Sequence, residues 1–127
     1  MEPDRARELL QRERERFQRE VAQLRDRGGS DGELSNIDQH PADVGTELFE
    51  EERDQSMIDR LKRELEAIDR AEERIANGTY GISVESGKPI PDERLQAIPH
   101  AERTVEEQAR LEAEDRNASR RGATPTE

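Results

Sequence analysis

Large apolar side chains are rare in this sequence, and where they occur they line up in thin stripes. In the first helix-like stretch, Leu10, Phe17, Val21 and Leu24 recur at spacings of seven, four and three. At 3.6 residues per turn those spacings place all four on one face of an otherwise charged rod. Further along, Ile58, Leu61, Leu65, Ile68 and Ile75 draw a second such seam, interrupted by Ala71 and Glu72, and Val44, Leu48 and Phe49 extend it toward its start. A single stripe of this width cannot close a core, and a helix carrying it is marginal in water until it meets a second one. Only 29% of the residues are hydrophobic and 42% are charged, with one Tyr, two Phe and no Trp. A sizeable globular core is therefore excluded. What remains is either disorder or an elongated helical assembly, and the periodicity selects the assembly.

Punctuation residues set the expected boundaries. The first helix is expected over residues 3–27, with Pro3 in its first turn and Gly28-Gly29 as its stop. Residues 28–42 read as a loop, rich in Gly, Ser and Asp and closed by Pro41. A second helix is expected over 43–77, with Asp43 as its N-cap and Gly78 at the left-handed position beyond its C-terminus. At 1.5 Å per residue it would be roughly 50 Å long. Two seamed helices joined by one loop make an antiparallel coiled-coil hairpin over 1–77. The second helix is the longer on this reading, so part of its seam needs cover from the C-terminal module or from a second chain. Pairing of the same seams between chains, giving a homo-oligomer, is the alternative. Residues 78–100 form a compact knob holding Ile82, Val84, Ile90, Leu95 and Ile98. A last helix follows over Ala101 to about Arg116, and 117–127 is a flexible tail.

Charge and composition narrow the function. A net charge of −11 argues against a dominant grip on nucleic acid, which needs clustered Lys and Arg, and it suits a protein partner with a basic face. Without cysteine there is no disulfide, no thiolate metal site and no thiol redox chemistry. No nucleophile–base pair, phosphate loop or metal-ligand cluster points to an enzyme. No apolar run approaches a membrane span and no signal peptide opens the chain, so the cytoplasm is the default.

The knob carries the most specific text. Tyr80-Gly81, Ser83, Ser86-Gly87, Pro89-Ile90, Arg94-Leu95 and Ala97-Ile98-Pro99 follow one another at spacings that resemble the C-terminal finger of the DksA/TraR family of bacterial transcription regulators. The family pattern runs YG-x-C-x-x-C-G, a proline-flanked turn, RL-x-A-x-P and then C-x-x-C. Here Ser83, Ser86, Thr104 and Glu107 stand at the four cysteine positions. The resemblance thus implies a mainly α protein: a coiled-coil hairpin followed by a small, degenerate, zinc-less finger and a C-terminal helix. Three hydroxyls and one carboxylate are poor zinc ligands, so no cofactor is expected. Tyr80, Gly81, Gly87, Pro89, Arg94, Leu95 and Pro99 are expected to be the finger scaffold, held by packing and by hydrogen bonds from Ser and Thr.

The resemblance also speaks to the hairpin tip. The family carries an acidic D-x-x-D-x-A motif there, and its register falls on His40-Pro41-Ala42-Asp43-Val44-Gly45. Only Asp43 matches, while Asp38 offers a second acid out of register. His40 stands where the first acid would be. The run from Asp38 to Leu48 looks like the YteA-type branch of the family. What the family implies is a slim acidic rod that enters the secondary channel of RNA polymerase, sets Asp38, His40 and Asp43 near its catalytic cation and modulates transcription without sequence-specific contact to DNA. The competing expectation is a structural or stress-associated interaction protein that kept the fold and lost the polymerase role.

Overall fold

The structure, a computed structural model, describes residues 1–35 and 44–122, with side chains for 1–27 and 49–120. Helix α1 spans Pro3–Ser35 and helix α2 spans Val44–Asn77. They lie antiparallel: Arg14 pairs with Asp69 (2.8 Å) and Glu72 (2.6 Å), and Arg27 pairs with Asp54 (2.5 Å). Between them runs one seam. Ala6, Leu10, Phe17, Val21 and Leu24 of α1 are buried with Ile58, Leu61, Ile68, Ala71 and Ile75 of α2. Leu10 and Ile68 are completely enclosed.

Three expectations are corrected here. Gly28-Gly29 does not end the first helix, which continues to Ser35. Glycine in a helix interior costs only about 1 kcal/mol relative to alanine, and no proline follows to enforce a stop. At 33 and 34 residues the two helices are nearly equal, so α2 is not the markedly longer one; Phe49, expected to extend its seam, is nonetheless 68% exposed. Ala71 does not interrupt the seam either; it is fully buried within it. Glu72, one residue on, turns outward to Arg14.

At the base of the hairpin α2 ends in a Schellman turn. The Gly78 N–H bonds to the Ile75 carbonyl (3.2 Å) and the Thr79 N–H to the Arg74 carbonyl (2.9 Å). Gly78 takes φ 78°, where a β-carbon would strain the backbone. The chain then forms a tight loop pinned by a single antiparallel bridge between Ile82 and Pro89. A short helix, α3 (Asp92–Ala97), follows, and α4 spans Val105–Gly122. The last helix therefore starts four residues later than the expected Ala101 and runs past Arg116. Residues 101–104 are instead occupied in reaching across the knob.

Ile90, Leu95 and Ala101 make a second small core, and Met1 and Tyr80 pack against both cores. The knob is thus continuous with the rod. Among the described residues, no helix is long and apolar enough to cross a membrane.

Candidate functional site

The loop between Gly81 and Ile90 is built by backbone bonds. Ser83 N–H bonds to the Lys88 carbonyl (2.8 Å), Gly87 N–H to the Ser83 carbonyl (3.0 Å), and Ile90 N–H to the Gly81 carbonyl (2.8 Å). Gly87 closes the turn at φ 76° and Gly81 opens it at φ 86°. At Gly81 an added β-carbon would make only ordinary contact with Leu95 Cδ1 (3.7 Å), so it is the positive φ and not space that calls for glycine there. Pro89, lacking an N–H, sits opposite Ile82 at a pair that donates no ladder bond.

Inside this loop the Ser83 hydroxyl accepts hydrogen bonds from the N–H groups of Glu85 (3.0 Å) and Ser86 (3.2 Å) and donates to Glu107 Oε1 (2.6 Å). The same carboxylate oxygen accepts the Thr104 N–H (3.0 Å), and the Thr104 hydroxyl accepts the Glu107 N–H (3.2 Å). Thr104-x-x-Glu107 is thus a reciprocal capping box at the start of α4. Ser83 and Glu107 are both buried. The Ser83 hydroxyl, then Ser86, the Thr104 N–H and the Thr104 hydroxyl together hold the Glu107 carboxyl down to about 2.

A second group of contacts fixes the knob to α2. Glu102 takes a bidentate pair from Arg70 (2.8 and 3.1 Å) and a third bond from Arg74 (3.1 Å). Burial alone would raise the Glu102 carboxyl, but the two arginines outweigh it and hold it below the ordinary carboxylate value. His100 is buried, its Nε2 is 2.9 Å from Glu64 of α2, and its ring meets Phe17 of α1 edge-on at 5.8 Å. Tyr80 donates to the Pro99 carbonyl (2.8 Å), and Arg94 Nε donates to the Arg103 carbonyl (2.8 Å).

The residues named from sequence therefore fall into two sets. Ser83, Ser86, Thr104 and Glu107 come together, as do Tyr80, Gly81, Gly87, Pro89, Arg94, Leu95 and Pro99 around them. Asp38, His40 and Asp43 lie outside the described residues. Sequence reasoning missed the clamp of Glu102 with Arg70 and Arg74, because charges on a polar helix give no sign of which are engaged. Nor does the sequence signal that His100 is buried against both helices. Sequence reasoning also passed over α3, although Asp92-Glu93 directly after Pro91 was an available start signal.

The four clustered positions do not suit a zinc ion. Ser83 Oγ has already used both lone pairs and its proton. Glu107 is engaged by a hydroxyl and an amide, and no thiolate or imidazole is present to complete a tetrahedron. Among the described residues no group of three or more His, Cys, Asp or Glu could hold a metal ion.

Comparison with known proteins bears on the whole arrangement. A profile described as the prokaryotic dksA/traR C4-type zinc finger matches residues 78–113. The solved structure of transcription factor DksA2 from Pseudomonas aeruginosa superposes with a TM-score of 0.66 at 31% identity, covering 90% of this chain and 85% of that one. The chain belongs to the DksA/TraR family. General stress protein 16O of Bacillus subtilis (strain 168) is 44% identical over 82 residues, 64% of this chain and 50% of that protein. YteA of the same organism is 49% identical over 70 residues, 55% of this chain and 29% of that protein. The RNA polymerase-binding transcription factor DksA of Caulobacter vibrioides (strain NA1000 / CB15N) is 41% identical over 58 residues, 46% of this chain and 41% of that protein. The chain spans half or less of these curated relatives. The transcription factors of the DksA/TraR family are non-enzymatic proteins. This chain carries the family's finger region without a single cysteine.

Proposed function

We propose that this chain is a cytoplasmic DksA/TraR-type regulator that binds RNA polymerase through its hairpin, in the secondary channel, and modulates transcription. The observation that carries this reading is the likeness to DksA2 over 90% of the chain, which takes in the rod as well as the finger. A narrow, net-acidic rod suits a narrow basic channel, where field lines are focused and an anionic probe is drawn in. On this reading Asp43 at the tip is the residue that reaches the enzyme's cation site, with Asp38 and His40 beside it, and no zinc is bound in the knob.

The test is capture of RNA polymerase subunits from native lysate, followed by transcription in vitro with the purified chain. The expected result is polymerase capture and altered transcript yield, with Asp43→Asn weakening the effect on yield more than the capture. No change in transcription at saturating protein would overturn the reading.

A second reading has its own support. The match to General stress protein 16O covers more of this chain, at higher identity, than the match to the Caulobacter DksA. It makes the chain a stress-associated interaction protein with the family fold and no polymerase role. Capture of other partners with no polymerase among them would favour it.

A further inference from the structure

The knob is closed between residues far apart in sequence. One tie is backbone: the Val84 N–H bonds to the Glu102 carbonyl (2.9 Å). A second is a side chain, the carboxylate of Glu107. We propose that Glu107 takes over the joining role that the family gives to a metal ion, with the polarity of the site inverted. A C4 finger gathers electron-pair donors around a central cation. Here an anion takes the centre, and hydrogens converge on it from both halves of the knob: the Ser83 hydroxyl from the loop and the Thr104 N–H from the start of α4.

Three features support this assignment. Glu107 is only 5% exposed, so its charge is matched by these partners instead of by open solvent. Ser83 is polarised by the two amide N–H groups it accepts, which strengthens the proton it gives. The carboxylate also lies in the first turn of α4, where the helix dipole favours negative charge. Glu85 of the loop pairs with Arg103 and Arg110, and Glu106 is exposed on the outer face of α4.

This inference does not depend on the polymerase reading, because it concerns closure of the knob alone. It makes the knob indifferent to chelators and to thiol oxidants and sensitive to acid. The Glu107 carboxyl falls from an ordinary 4.5 to about 2 on folding. Its contribution is therefore complete above pH 4.5 and is lost as pH falls toward 2.

The test is amide hydrogen exchange on the full chain, read at Val84, Ser86 and Gly87, with seam amides of α1 and α2 as internal reference. Glu107→Gln and Ser83→Ala should each speed exchange at the loop by roughly tenfold or more and leave the seam unchanged. In the wild type, loop exchange should rise relative to the seam between pH 4.5 and 2, and Glu107→Gln should show no such rise. Zinc chloride and EDTA should change nothing. A Glu107→Gln variant with wild-type exchange and pH profile would overturn the assignment, as would slowing of exchange by zinc. If Glu107→Gln fails to fold, the wild-type profile decides: a loop step ahead of the seam supports the lock, and a flat loop sinks it.

Discussion

Tyr80 directs its hydroxyl at the Pro99 carbonyl, and burial pushes that hydroxyl up to about 12 from an ordinary 10. The neutral form is thus the one the fold prefers. Its stabilising contribution is complete below pH 10 and is lost as pH rises through 12. Absorbance titration of the tyrosinate should place the midpoint near pH 12 in the folded chain and near 10 in denaturant. Replacing the residue with Phe keeps the ring and leaves the Pro99 carbonyl without its donor, at a cost of about 1 kcal/mol by chemical denaturation. Gly87→Ala is a different kind of lesion. No atom lies within 4 Å of an added β-carbon, yet the residue sits at φ 76°, so the loss of about 1–2 kcal/mol is backbone strain alone. On the polymerase reading proposed above, Asp43→Asn is by contrast a lesion of partner binding and should leave the melting temperature nearly unchanged.

At the level of elements, the seam was legible from spacing alone. Leu10, Phe17, Val21, Leu24, Ile58, Leu61, Ile68 and Ile75 are buried where period and polarity put them. The end of α1 was not legible, because glycine weakens a helix without forbidding it. That difference can be measured: Gly28→Ala with Gly29→Ala should raise helicity and add up to about 2 kcal/mol, where a loop with left-handed glycines would lose stability. The start of α4 was legible in principle, since Thr104 and Glu107 spell a capping box. As substitutes for cysteine they drew attention to what was lost, and the hydrogen bond from Ser83 over 24 residues of chain needed coordinates to be seen. Leu10→Ala, which empties a fully enclosed position, should cost about 2–5 kcal/mol.

For the molecule as a whole, the question is what makes rod and knob behave as one body. Glu102, held by Arg70 and Arg74, and His100, set against Glu64 and Phe17, are the polar ties, while Met1 and Tyr80 bridge the two cores. None of these pairings was visible in the sequence, because each joins residues about 30 or more apart among many similar charges. Their worth should be unequal. Arg70 is half exposed, so Arg70→Ala should cost under about 1 kcal/mol. Glu102→Ala strands Arg74, which is only 15% exposed, and should be clearly worse. Its signature should be a calorimetric trace in which the knob melts ahead of the rod.

The contacts at Glu64, Arg70 and Arg74 grip α2 within a few turns, and the Met1 ammonium adds an ion pair to Asp92 from the start of α1. The far end of the hairpin is therefore a pointer pivoting on a short hilt, and slack of a fraction of an ångström at the hilt is multiplied along the blade. The angle between the described length of the rod and the knob is thus set near the end of α2.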